Sequence, residues 1–312
     1  MEMDEAEFEK FCCRYEREED CIKALFQIKW PDGFRCPLCG HRQYYLIRTR
    51  RLPLYECREC GHQTSLTAGT IMEGSRLPLR SWFRAFYLHS QSSAVSALRL
   101  SEIIGVTYKT AWLLGHKIRH AMSRADERQL LGGLVRITPA LYGRAHNSTI
   151  YRHPQEHPLL VGATINGEGI PETIKIKQVP SEDIVMRSAS HNGVRNFQMK
   201  HVKPDATEII SDLGRSIRLR SNPLMRLGKM AATWLNATFK GIGPKHLQAY
   251  LDQYCYLTNQ AILCTPSVSQ CISLGTRFAR ITYRELVSRP SRIPVVKDYF
   301  QVLKTNKRKR AG

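Results

Sequence analysis

Four of the ten cysteines fall into two matched pairs, Cys36-Pro37-Leu38-Cys39 and Cys57-Arg58-Glu59-Cys60, with 17 residues between them. Zinc takes four soft ligands at tetrahedral corners about 2.3 Å from the metal, and a Cys-x-x-Cys turn presents two thiolates at that separation. The spacing therefore predicts one structural zinc site closed by two knuckles. Gly40 and Gly61 each follow the second cysteine of a pair, where a tight knuckle favours a residue that tolerates positive φ. The other six (Cys12, Cys13, Cys21, Cys255, Cys264 and Cys271) show no paired spacing and read as small packed hydrophobes. The acidic start of the chain has no signal-peptide pattern, so reduced thiols are expected rather than a disulfide framework.

The elements that position these ligands are short. Tyr44–Ile47 and Leu54-Tyr55 read as strands of a zinc ribbon over residues 31–70, following an N-terminal helical segment over 1–30. Arginines stud the ribbon, among them Arg48, Arg50 and Arg51, which predicts a cationic face able to meet DNA. A helical region follows over residues 76–125. Trp82, Phe83, Phe86 and Tyr87 make one wide apolar stripe. Ala97 to Ile104 marks a second helix that stops at Gly105. Thr107 is placed to cap a third, with Ala111, Leu114, Ile118 and Met122 on its inner face. Helix, glycine turn and capped helix is the helix-turn-helix pattern. On that reading Tyr108, Lys109, Thr110, Lys117 and Arg119 face outward, towards phosphates and base edges, with Thr107 at the helix start. A plain helical hairpin gives the same apolar spacing, so both readings stand at this point.

Charge bears on partners. The chain of 312 residues carries 47 Lys and Arg against 27 Asp and Glu, a net charge of +20. The first 20 residues hold nine acids and three bases, so the remainder is more basic still. A polyanion is the partner this surplus implies, double-stranded DNA foremost. An anionic membrane surface would need an amphipathic basic helix, and none is legible; nor is any stretch apolar enough to span a bilayer. Normal hydrophobic content, 42%, excludes wholesale disorder.

From about residue 130 the texture changes. Leu134–Ile137, Leu159–Thr164 and Thr173–Lys177 read as strands, with Asn166-Gly167 turning between the last two. Ile209-Ile210-Ser211-Asp212 is a short strand ending in a carboxylate, and helical pattern returns from Ala231 to Tyr256. These suggest an α/β domain over residues 130–262. A C-terminal extension over 263–312 ends in a basic tail of Lys304, Lys307, Arg308, Lys309 and Arg310.

The chain resembles the zinc-ribbon transposases of bacterial insertion sequences, the ISXO-type group related to the Merlin transposons. The resemblance is carried by Trp30 through Pro37 with Tyr55-Glu56-Cys57, by Gln63 through Ile71, and by Leu77 through Phe83. Gly105 through Trp112 continues it, and Lys245 through Leu251 with Asn259 extends it more loosely. It implies an RNase H-like domain with an Asp-Asp-Glu carboxylate set, holding two divalent cations about 3.5–4 Å apart for phosphodiester cleavage and strand transfer. Hard Mg²⁺ requires such oxygen ligands. Here the sequence departs from the family. The run Val135-Arg136-Ile137-Thr138-Pro139 puts Thr138 at the first acid position, Asp212 matches the second, and Thr233 stands at the third. No Asp or Glu occurs from Arg128 through Gln155 or from Leu213 through Leu251. One carboxylate cannot offset the repulsion between two dications.

The fold expected is thus multi-domain α+β: zinc ribbon, helix-turn-helix and an RNase H-like α/β domain whose carboxylate set is degraded. The function expected is DNA binding by a transposase-derived protein with structural Zn²⁺ and a lost nuclease centre. An active Mg²⁺-dependent strand transferase and a protein-interaction adaptor are the alternatives. Double-stranded DNA, a second copy of the chain or an active transposase are the expected partners. The expected location is the cytoplasm on DNA, or the nucleus of a eukaryotic host.

Overall fold

The computed structural model describes residues 4–143, 152–212, 223–264 and 267–289. Two compact units divide them: one comprises the described residues up to Ala125 together with Leu263–Val287, the other those from Asp126 to Ile262 together with Ser288 and Arg289.

The first unit opens with α1 (Glu5–Arg14), whose N-cap Asp4 carboxylate accepts from the backbone N–H groups of Ala6 and Glu7 at 3.0 and 3.1 Å, satisfying two donors that a helix start leaves open. Helix α2 (Glu18–Lys29) leads into a three-stranded antiparallel sheet of β1 (Tyr44–Ile47), β2 (Leu54–Cys57) and β3 (Gln63–Ser65). Phe26 and Trp30 from the end of α2 meet Tyr55 at ring-centroid distances of 5.3 and 5.2 Å, so aromatic packing docks the ribbon on this helix. The Lys29 ammonium donates to the carbonyls of Leu66 at 2.9 Å and Ala68 at 2.7 Å, fixing the chain as it leaves β3.

Helix α3 (Leu79–Ser90) buries Trp82, Phe83, Phe86 and Tyr87, the stripe expected from the sequence. Glu18 of α2 accepts from the Leu79 N–H at 2.8 Å, placing a carboxylate at the positive end of α3. Helix α4 (Ala97–Ile104) ends at Gly105, which has φ +67°, and α5 (Tyr108–Arg128) begins just after Thr107. Ala111, Leu114, Ile118 and Met122 are buried, so α5 turns inward the face that its periodicity marks.

Residues 263–287 correct the expected boundaries. Read in sequence as part of a separate C-terminal extension, they form α9 (Val268–Arg277) and α10 (Tyr283–Val287) and belong to the first unit. The Ile71 N–H donates to the Gly275 carbonyl at 3.1 Å, and a side chain at 275 would collide with the ring of Phe86. The basic tail, residues 304–310, lies outside the described residues.

The second unit is built on a four-stranded sheet. Its strands are β4 (Leu134–Tyr142), β5 (His157–Ile165), β6 (Pro171–Gln178) and, after a short ladder of β7 (Ile184–Val185) with β8 (Ser188–Ala189), β9 (Glu208–Ser211). The order is β6-β5-β4-β9; the first three run antiparallel, and β9 lies parallel to β4. Alternation along the strands splits the core. Tyr142, Val161, Ile174 and Ile176 pack with α7 (Pro223–Phe239) and α8 (Pro244–Ile262), whereas Val135, Ile137 and Leu160 pack with α6 (His191–His201).

Helix α8 also closes the sheet edge. The Ile174 N–H donates to Asn259 Oδ1 at 2.8 Å and Asn259 Nδ2 returns a bond to the Ile174 carbonyl at 3.0 Å. Gln248 treats the chain near Gln178 in the same way, accepting from its N–H at 2.7 Å while donating to the Ile176 carbonyl at 3.0 Å. Side chains on one stripe of a helix thus stand in for a missing neighbouring strand.

Candidate zinc centre and nucleic-acid interface

Both knuckles are built alike. The Gly40 N–H donates to the Cys36 carbonyl at 2.9 Å and the Cys36 N–H to the His41 carbonyl at 2.9 Å. The Gly61 N–H donates to Cys57 at 3.0 Å and the Cys57 N–H to His62 at 3.0 Å. Gly40 and Gly61 take φ values of +76° and +66°, the conformation the knuckle demands. Cys36, Cys39, Cys57 and Cys60 converge so that their sulfurs all lie within 4.8 Å of one another. Cys36 and Cys60 Sγ stand 3.6 Å apart, Cys39 and Cys57 Sγ 3.5 Å. A zinc tetrahedron with 2.3 Å bonds has edges of roughly 3.8 Å, so the four thiols fit the metal. Against the upward pull of burial, the backbone N–H groups of Cys39 and Leu38 hold the Cys36 thiol down, while its neighbours Cys39 and Cys60 are pushed up by the sulfurs around them. Donors aimed at a sulfur favour the thiolate that binds zinc.

Around the ribbon Arg48, Arg50 and Arg51 are exposed. The Arg51 guanidinium stands 3.9 Å from the Glu18 carboxylate and so is partly engaged within the unit. On the helix pair, Thr107 Oγ1 accepts from the Thr110 N–H at 3.4 Å as a weak cap. Thr107, Tyr108 and Lys109 are exposed, Thr110 and Lys117 half-buried. Arg119 requires a correction. Expected to face outward for DNA contact, it is only 3% exposed, packed beside His89 of α3. Its position falls next to Ile118 on the buried side of a helix that α3 covers, so it reaches no groove.

The three positions that the resemblance assigns to a carboxylate set lie in the second unit. Thr138 sits in β4, fully buried, opposite Val161. Asp212 follows β9 directly; its N–H donates to the Ile137 carbonyl at 2.9 Å, which brings it level with Thr138 on the neighbouring strand. Thr233 is exposed on α7, off the stripe of Leu224, Gly228, Ala231 and Leu235 that meets the sheet. Nearby acids are engaged elsewhere. Glu156 accepts from Arg187 Nε and from the His153 N–H, each at 3.0 Å. Asp183 accepts from Asn196 at 2.9 Å, and Glu208 pairs with Leu134 at the far end of the β4–β9 ladder. Among the described residues the four cysteines are the one group of three or more ligating side chains arranged to hold a metal ion. The residues outside that description contain two acids, Glu2 and Asp298. Among the described residues, Thr138, Asp212 and Thr233 offer a single carboxylate between them.

Residues 16–63 match the transposase zinc-ribbon domain family. Over 96 residues the chain is 34% identical to an uncharacterized protein in transposable element ISH50 of Halobacterium salinarum. That similarity covers 30% of this chain and 32% of the relative, so the chain spans about a third of the length of the curated relative it matches. No solved structure matches. Both similarities point to insertion-sequence transposases. The zinc-ribbon reading of the sequence is thereby supported, while the helix-turn-helix and RNase H-like readings draw nothing from them. No described helix is long and apolar enough to cross a membrane.

Sequence reasoning missed Gln248, Asp252, Cys255 and Asn259. Their i, i+4, i+7, i+11 spacing, which puts them on one stripe of the helix, was the available signal. It also missed the buried ion cluster of Asp126 with Lys175 (2.8 Å) and Lys177 (2.5 Å), the latter also bound to Asp252 at 2.7 Å. Alternating lysines on a strand read as a solvated face, yet Lys175 is 1% exposed.

Proposed function

We propose that this chain is a transposase-family protein that binds duplex DNA through its zinc ribbon and the α4–α5 helix pair, and that its phosphodiester-cleaving centre is lost. Zinc fixes the ribbon, whose exposed Arg48 and Arg50 meet phosphates, and α5 enters a groove with Tyr108, Lys109 and Thr110. Support for an RNase H-like descent comes from the sheet: three antiparallel strands followed by a fourth parallel to the first is the order that fold requires. The observation carrying the loss of chemistry is that Thr138, a buried hydroxyl, stands level with Asp212 where a second carboxylate would be needed. A hydroxyl and a single carboxylate supply too little negative charge for two dications.

Removing acids from a surface that meets phosphates leaves it more positive, so DNA affinity outlives cleavage. Such a protein acts by occupying DNA, alone or in assembly with an active transposase. The test is duplex binding measured across salt concentrations, together with strand nicking in Mg²⁺ or Mn²⁺. A steep fall of affinity with salt and intact DNA support the reading. Salt-independent weak binding favours an adaptor, and nicking that disappears in Asp212→Asn restores the enzymatic reading.

A further inference from the structure

A cavity at the start of α5 holds chemistry that groove reading uses only in part. It measures about 760 Å³ and lies wholly within the first unit, a size that suits a small organic ligand. Four rings and two ammonium groups line it: Trp82, Tyr108, Trp112, Tyr283, Lys109 and Lys117. Trp82 is buried, and its Nε1 donates to Ser75 Oγ at 3.1 Å, which fixes the indole. Trp112 meets Tyr283 edge-on with centroids 6.3 Å apart, while Tyr108 and Tyr283 remain 54% and 59% exposed. The Lys117 ammonium lies 5.8 Å from the centre of the Trp82 ring.

Arg280 adds a further cation. Its guanidinium occupies the space that a Cβ at residue 74 would need, so the close approach depends on Gly74. Burial first, then the Arg280 charge, hold Lys117 below the ordinary lysine value, with Glu73 acting in the opposite sense. Cations crowded together in a partly dry place attract an anion. Rings with exposed faces attract a planar partner. A nucleotide supplies both, but in a paired duplex its base faces are stacked away from any protein ring.

We propose that this pocket takes an unpaired nucleotide of a DNA strand, its base against Tyr108, Trp112 and Tyr283 and its phosphate at Lys117 and Arg76, which line it, with the Arg280 charge close behind. This deepens the DNA-binding reading and rests on it. The experiment uses the zinc-loaded full chain and two oligonucleotides, a fully paired duplex and the same duplex with one bulged base, read by fluorescence anisotropy at fixed salt. Stacking of one base on protein rings predicts about tenfold tighter binding of the bulged DNA. Tyr283→Ala, at an exposed position, and Trp112→Leu, checked for an unchanged melting temperature, should each remove that preference and leave paired-duplex affinity as it was. Titration with deoxyadenosine monophosphate should quench tryptophan emission, and inorganic phosphate alone should quench it far less. Equal affinity for the two DNAs, a preference that survives both replacements, or equal quenching by phosphate overturns the proposal while the paired-duplex arm stands by itself. Binding of bulged DNA alone supports the pocket and sinks the duplex reading; binding of neither DNA overturns both.

Discussion

Cys57 shows how tightly one side chain is tied to the account. It ends β2 as a strand residue, opens the second knuckle, and faces Cys39 at 3.5 Å. Cys57→Ser is expected to lower bound zinc from about one ion per chain to near none, measured by metal release to a chromogenic chelator, with loss of ribbon folding because metal affinity is folding energy here. His89 makes a different residue-scale prediction. Burial, and then the charge of Arg119, push its imidazole down to about 3 from the ordinary 6.5, while one ring nitrogen bonds the Ala85 carbonyl at 2.9 Å. The unfolded chain therefore takes up the proton first. Stability should fall as pH drops below about 6.5, with a slope approaching 1.4 kcal/mol per pH unit from this group. His89→Asn keeps a donor for Ala85, and its melting temperature should vary less between pH 7 and 5 than that of the parent chain. The zinc ligands were legible in the sequence because four soft side chains at fixed spacing have few other uses. Arg119 was misread because a single-helix pattern marks its apolar face but not that His89 of α3 lies beside it.

At the scale of elements, α8 and β6 carry the sharpest expectation. Asn259 is nearly fully buried and satisfies both the N–H and the carbonyl of Ile174. Asn259→Ala strands two buried backbone groups at about 1–3 kcal/mol each. A lowered urea midpoint and concentration-dependent aggregation, from an uncapped strand edge, are the outcomes to measure. Asp126→Asn tests the neighbouring ion cluster. Lys177 and then Lys175 hold that carboxylate ionised against the cost of burial, so neutralising it leaves buried ammonium groups short of charge, a loss of about 3–5 kcal/mol in chemical denaturation. Strands β4, β5 and β6 were readable from β-branched runs and the Asn-Gly turn. The edge capping was not, since a residue such as Asn259 looks the same in sequence whether it faces water or a backbone. The return of α9 onto α3 was equally invisible: amphipathic spacing says that a face is buried but not against which partner.

The whole molecule comprises a basic unit whose four-cysteine cluster fits zinc and a unit built on a four-stranded sheet, which on the proposed reading keeps one acid of a three-carboxylate cleavage centre. Its charge predicts DNA affinity carried mostly by phosphate contacts, so the logarithm of the binding constant should fall linearly with the logarithm of salt concentration. Stripping zinc should weaken that affinity by removing the ribbon from the contact. Composition alone pointed to a polyanion, and the expectation of missing carboxylates came from the resemblance. Placement of Asp212 level with Thr138 required the fold, because parallel pairing of β4 with β9 joins segments about 70 residues apart in sequence. The central claim, binding without cleavage, is tested most directly by incubating supercoiled plasmid with Mn²⁺ at a protein concentration that fully shifts the DNA. The account predicts bound plasmid that stays supercoiled after the protein is removed; nicked or linear product, abolished by Asp212→Asn, would contradict it.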